Sequence, residues 1–205
     1  MKDTRKQIIQ RAIQLFNEKG LAQVSIRDIS VSMGLSPGNF TYHFKTIDDL
    51  IRALYQNMKA TMDEPHRPDE SKSFGLQELD HLLWTAYRFQ WAHRFFFTDL
   101  VTVKNRFPSI LNKHLEVRQE RSGDSMALIK RLIKAGLLKK AQYPHSYEAL
   151  IHSIWLMYPG ALSEVSLRGL SPDSNDLPVQ LAWNQFLPHL TEEGLKQFKE
   201  LKNEN

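Results

Sequence analysis

Apolar residues recur at helical intervals along almost the whole chain, and no stretch shows the strict alternation of a half-buried strand. Ile8, Ile9, Ala12, Ile13 and Phe16 define a first helix, with Thr4 and Gln7 placed to form a capping box at its start and Gly20 to stop it. Ser25 with Asp28 opens a second, short helix through Met33. Gly34-Leu35 makes a tight turn, and Ser36 caps a third short helix with Pro37 at its first position. Thr46 with Asp49 opens a fourth helix, expected over about 46–62. Its positions Ile47, Leu50, Ile51, Leu54, Tyr55 and Met58 form one apolar stripe. Residues 63–75 are polar with two prolines and are expected to form a loop.

Beyond that loop the pattern predicts one long helix from Leu76 to about Val103, and another from Pro108 to Leu138 in which Gly123 is a weak point. After a connector at Ala141–Pro144, the stripe Tyr147, Leu150, Ile151, Ile154, Trp155, Tyr158 and Leu162 marks a strong helix, with Pro159-Gly160 expected to kink it. Leu170–Pro178 reads as a loop, and Val179–Leu201 as a last helix or helix pair. The expected fold is therefore all-α, about nine helices. It comprises a three-helix N-terminal helix-turn-helix domain at 1–50, the linking fourth helix, and a C-terminal helical bundle at 63–205.

Charge adds a second signal. The net charge is +4, and residues 1–59 carry nine bases against five acids, so all the excess lies there. A polyanionic partner for that end follows. There is no cysteine, which excludes disulfides, thiolate zinc sites, iron–sulfur clusters and a cysteine nucleophile. The most apolar stretch, Leu150–Leu162, is interrupted by His152 and Ser153 and is too short for a bilayer. The N-terminus lacks the apolar core of a signal peptide, so the chain is expected to be soluble and cytoplasmic, with no membrane partner.

The helix-turn-helix pattern at 25–44 locates the chemistry. A helix that enters a major groove about 12 Å wide must be short, protruding and lined with small or polar residues. Ser36, Pro37, Gly38 and Asn39 meet that requirement. Ser36 and exposed backbone N–H groups can meet a phosphate, Gly38 allows close approach, and Asn39 and Thr41 can reach base edges. Tyr42, His43 and Lys45 lie where phosphate contacts are expected; Ser25 and Arg27 complete the candidate DNA-binding set.

Residues 8–55, read as IIQRAIQLFNEKG followed by VSIRDISVSMGLSPGNFTYHFKTIDDLIRALY, resemble the N-terminal domain of the tetracycline-repressor (TetR) family of bacterial transcription regulators. The run Gly34 to Phe44 followed by Asp49-Leu50 is the most characteristic part. The resemblance implies a homodimer that binds a palindromic double-stranded operator and responds to a small-molecule effector, more often as a repressor. It also implies that the last two long helices, about 146–168 and 179–201, form the dimer interface. The Tyr147-to-Leu162 stripe is accordingly expected to face the partner, the alternative being that it faces the core of its own chain. Two positions depart from the family pattern: Thr41 stands where a second Tyr is frequent, and Ile47 where Lys is usual. Their replacement is expected to weaken affinity or shift backbone contacts to Lys45 and Arg27.

For the effector, the aromatic residues Trp84, Tyr87, Trp91, Phe95, Trp155 and Tyr158 are the candidate pocket. No cofactor is expected. Glu78 and His81 match half of a di-iron motif, but no second Glu-x-x-His exists, so a surface pair and no metal site is expected. Lys130, Arg131, Lys134, Lys139 and Lys140 read as a solvated helix face or as charge at a helix C-terminus. No phosphate loop or nucleophile elbow is present, so no enzymatic activity is expected. A competing reading is a helical carrier or enzyme that retains the N-terminal fold without binding DNA.

Overall fold

The computed structural model describes residues 2–63 and 74–203. Within them are eleven α-helices: α1 (Lys2–Lys19), α2 (Ile26–Ser32), α3 (Pro37–His43), α4 (Ile47–Asp63), α5 (Leu76–Ala92), α6 (Arg94–Phe97), α7 (Leu100–Arg106), α8 (Pro108–Lys134), α9 (Ser146–Leu167), α10 (Leu177–Phe186) and α11 (Glu192–Asn203). Two 3-10 turns follow α1 and α10. No strand occurs among the described residues, only an isolated bridge between Leu138 and Leu190. The expected loop at 63–75 lies, from 64 to 73, outside the described residues.

The chain forms two compact units. One contains residues 1–64 together with 92–115; the other contains 65–91 and 116–205. In the first unit α1, α2, α3 and α4 close over Ile8, Ala12, Phe16, Ile29, Phe40, Leu50 and Leu54, all at or below 1% exposure. The unit also takes in α6, α7 and the first turns of α8. Phe95 packs on Phe16 with ring centroids 5.2 Å apart, and Phe96 on Tyr55 at 5.6 Å. Buried His114 stands edge-on to Tyr55, Phe96 and Phe97. The Asn17 carboxamide donates to the Ala92 carbonyl at 2.8 Å and accepts from the Phe95 N–H at 3.0 Å, tying α1 to the start of α6. A guanidinium N–H of Arg106 donates to the Leu21 carbonyl at 3.2 Å.

Three helix boundaries differ from expectation, each for a local reason. First, α1 begins at Lys2, so Thr4 sits inside the helix rather than capping it. Second, the segment expected as one helix over Leu76–Val103 is three. His93 leaves helical geometry at φ −120°, ψ 29°, and Asp99 restarts the chain as N-cap, accepting from the Thr102 N–H at 3.1 Å. Third, α8 ends at Lys134 because Gly136 takes φ +75°. Its N–H and that of Leu137 bond back to Ile133 and Leu132, a Schellman closure. Gly123 does not interrupt α8, and α9 runs unbroken through Pro159.

The second unit carries a buried polar knot. One carboxylate oxygen of Asp80 (α5) accepts from the Trp183 indole N–H (α10) at 2.7 Å and from the Lys202 ammonium (α11) at 3.0 Å. Lys202 also lies 5.7 Å from the Trp183 ring centroid. One charge on α5 is thus shared with two helices far along the chain, and each donor offsets the cost of burying it. The expected partner-facing stripe on α9 is instead this unit's own core. Tyr147, Leu150, Ile151, Tyr158 and Leu162 are buried, with Ile154 and Trp155 half-buried. The reason is that α9 packs along α10 inside the same subunit. The outward face of α9 is a different one, containing Leu156 at 62% and Leu167 at 84% exposure.

The corner between α10 and α11 is clipped to the end of α8. Lys139 N–H donates to the His189 carbonyl at 2.8 Å, and Thr191 N–H to the Leu137 carbonyl at 3.1 Å. Gly194, buried on α11, lies so close that a Cβ there would stand 2.2 Å from that same Leu137 oxygen. Backbone cannot yield as a side chain can, so Gly194→Ala is expected to destabilise the protein by about 2 kcal/mol or more. Gly123→Ala, at an exposed helix-interior position with nothing within 4 Å of its Cβ, is expected to stabilise it by about 0.5–1 kcal/mol. Denaturant midpoints of the two variants give opposite shifts.

Candidate nucleic-acid interface

Every part of the α2–turn–α3 segment has a local cause. Ser25 and Asp28 form a reciprocal capping box at the start of α2, the Asp28 N–H donating to the Ser25 hydroxyl at 3.2 Å and the Ser25 N–H to the Asp28 carboxylate at 2.8 Å. The hydrogen bonds from the Ser25 hydroxyl and N–H hold the Asp28 carboxyl below the usual carboxylate range. At the turn, Gly34 takes φ +65° while its N–H and that of Leu35 bond to Val31 and Ser30. A side chain would be strained there. Ser36 then caps α3, accepting from the Asn39 N–H at 3.2 Å, with Pro37 in the first turn. Thr46 and Asp49 close a second reciprocal box at the start of α4.

Two side chains orient α3. Phe40 and Phe44, one turn apart with centroids 6.2 Å from each other, are 0% and 2% exposed. Every other residue from Ser36 to Lys45 is exposed, except His43, which is half-buried. Tyr42 is 70% exposed although it is a large aromatic, and meets the His43 ring edge-on at 5.2 Å. Asn39 lies on the exposed face; the Thr41 hydroxyl donates back to the Gly38 carbonyl at 3.1 Å. Ser25 and Arg27, at the start of α2, are also exposed. The outward surface so formed carries hydroxyl, carboxamide, phenol, imidazole and cationic groups and no acid between Ile29 and Ile47.

The aromatic candidates in the C-terminal half are more scattered than the sequence suggests. Phe95 belongs to the first unit, packed on Phe16. The other five lie in the second unit. Tyr87 and Tyr158 are buried, their hydroxyls donating to the Asn175 carbonyl at 3.0 Å and the Leu83 carbonyl at 3.2 Å. Trp84, Trp91 and Trp155 are half-buried. Arg88 lies 5.5 Å from the Trp84 ring centroid and Arg118 5.1 Å from that of Trp155. Glu78, set aside as a metal ligand, accepts the Gly75 N–H at 2.8 Å and so caps its own helix. Lys130, Lys134, Lys139 and Lys140 are exposed, while Arg131 lies over Phe74. Asn17, which clamps α6 to α1, carried no signal in the periodicity, because a polar residue on an amphipathic helix reads as solvent-facing.

A short, capped helix-turn-helix whose second helix presents a polar, acid-free face defines a DNA-binding module. Two family models cover the chain. The "Bacterial regulatory proteins, tetR family" model matches residues 8–54, and a "Bacterial transcriptional repressor" model, also of TetR type, matches residues 57–198. The chain belongs to the TetR family of bacterial transcriptional regulators. It is 34% identical over 80 residues to the probable regulator ArpR of Pseudomonas putida, covering 39% of this chain and 36% of that protein. To the regulator TtgR of Pseudomonas putida it is 33% identical over 70 residues, 34% and 33% of the two chains. These matches span about a third of each relative's length. Among solved structures, a TetR-family regulator from Marinobacter aquaeolei superposes with a TM-score of 0.87 at 22% identity, covering 98% of both chains. A putative regulator from Saccharomonospora viridis, solved in complex with choline, gives 0.72 at 20% identity, covering 94% of this chain and all of that one. No described helix is long and apolar enough to cross a membrane.

Burial pushes the Tyr87 phenol up to about 12, with Asp176 and Asp173 adding to the effect, and pushes Tyr158 still higher, with Asp80 and Tyr87 adding. The folded state therefore keeps protons that an unfolded tyrosine sheds near pH 10. Folded stability is fully retained below that pH and falls as pH rises from about 10 towards 12. Denaturant midpoints measured across this window should decline, and decline less in a Tyr87→Phe, Tyr158→Phe double variant.

Proposed function

We propose that the protein is a cytoplasmic, homodimeric, ligand-responsive transcriptional regulator, acting as a repressor at a palindromic operator. The observation that carries the DNA-binding part is the exposed polar face of α3, held outward by the burial of Phe40 and Phe44. In this reading Ser25, Arg27, Ser36, Tyr42, His43 and Lys45 contact backbone phosphates. Asn39 and Thr41 read base edges, and Pro37 and Gly38 let the α3 backbone approach the groove.

A palindrome needs two recognition helices about 34–36 Å apart, hence two subunits. The outward face of α9, with Ala149, Ser153, Leu156, Gly160 and Leu167 all exposed at helical spacing, supports the dimer contact there: small residues permit close approach and two leucines supply apolar area. The effector reading is supported by the half-buried Trp84, Trp91 and Trp155 of the second unit, and by the relative from Saccharomonospora viridis that was solved with choline. Effector binding shifts the population towards a state in which the recognition helices no longer match successive major grooves. The fourth helix acts as lever, and the coupling is of the usual size, about 1–3 kcal/mol.

Operator binding is measured by fluorescence anisotropy on the palindrome that the wild type selects from a random duplex pool. Asn39→Ala is expected to relax sequence preference, at a cost of about 1–3 kcal/mol in discrimination at one base pair. Lys45→Ala is expected to weaken all sequences alike and to lower the salt slope by about one per subunit. A wild type that binds no duplex at modest ionic strength would sink the reading. For the dimer, the double variant Leu156→Glu, Leu167→Glu should sediment at half the wild-type mass; an unchanged mass places the interface elsewhere.

A further inference from the structure

The first turn of α1 carries a cation held against the recognition helix. The guanidinium carbon of Arg5 lies 4.8 Å from the centroid of the Phe44 ring. Phe44 is the C-cap of α3, and its N–H closes that helix onto Phe40. Arg5 itself is exposed. A guanidinium stacked on an aromatic ring keeps its N–H donors at the rim of the stack, free to meet an oxyanion in the ring plane or beyond it. The residue that follows Phe44 is Lys45, which is exposed and which the DNA-binding reading assigns to a backbone phosphate. One cation thus lies over the buried Phe44 ring, and a second follows it directly in the chain, just past the end of α3.

Resting on the DNA-binding reading above, we infer that Arg5 is a further DNA-contacting residue, a backbone clamp whose guanidinium, braced on Phe44, binds a phosphate beside the one met by Lys45. The brace matters to the energetics. A long cationic side chain loses rotamer freedom when it binds a phosphate, and stacking on a fixed ring has already removed part of that freedom. Since phosphates carry no sequence information, the clamp adds affinity without changing which base pairs are preferred. Because Phe44 also fixes α3 from inside, the clamp and the reading helix share a single rigid support.

The test compares wild type, Arg5→Met, Arg5→Gln and Arg5→Lys on two duplexes: the palindrome selected by the wild type and a scrambled duplex of equal length and composition. Binding is followed from about 50 to 200 mM salt, and thermal melts confirm equal folding. Each phosphate contact contributes about 0.9 to the slope of log affinity against log salt. Arg5→Met and Arg5→Gln are expected to lower that slope by about one per subunit on both duplexes. A dimer would then lose roughly tenfold less affinity than wild type across this salt range. Arg5→Lys should retain the slope. If wild type binds and the Met and Gln variants keep its slope, the clamp is wrong while the DNA-binding reading stands. If those variants keep the slope but change the ratio of affinities for the two duplexes, Arg5 only positions α3, and the clamp is again wrong. If wild type binds neither duplex, the DNA-binding reading itself falls.

Discussion

The recognition helix depends on two buried phenylalanines. A helix of seven residues does not persist in water by itself, since nucleation costs more than so few hydrogen bonds return. Phe40 and Phe44 change that balance. Burial of each is worth roughly 1.5–3 kcal/mol, and their one-turn spacing selects the single rotation of α3 about its axis that sinks both. The polar face is then what remains. Ser36, Asn39 and Tyr42 are outside because they are not Phe40 or Phe44, and the caps at Ser25, Ser36 and Thr46 set where each helix starts around that choice.

This division of labour explains how much could be read from the chain alone. Helices α2, α3 and α4 were legible because their determinants are local: serine or threonine caps three residues ahead of an acid or an amide N–H, a turn glycine, and apolar spacing within one or two turns. The exposure of the candidate DNA-binding residues was legible for the same reason. Boundaries set by a single side chain were harder. Asp99 could have been recognised as a cap within the aromatic segment, but the density of Trp and Phe over 84–97 concealed the break at His93.

What the sequence concealed altogether was partnership. The stripe on α9 is equally consistent with a subunit interface and with a subunit core, because both bury apolar area; only the packing of α9 along α10 decides it. The aromatic run likewise divides between two units. Phe95, Phe96 and Phe97 join the first, against Phe16, Tyr55 and His114, while Trp84, Tyr87 and Trp91 belong to the second. Asp80, Trp183 and Lys202 are separated by 103 and 122 positions along the chain, and no periodicity could have joined them.

The composition of the first unit bears on how such regulators exchange parts. Its core is completed by residues from 92 to 115, so the head is not an N-terminal cassette that ends where the fourth helix does. A chimera joined near residue 63 would strip the partners from Phe16, Asn17 and Tyr55 and replace them with a stranger's side chains. Recombination that transplants DNA specificity between members with this architecture therefore has two workable routes. It can carry the 92–115 segment along with the head, or it can leave the scaffold whole and change only exposed residues on the surface of the first unit.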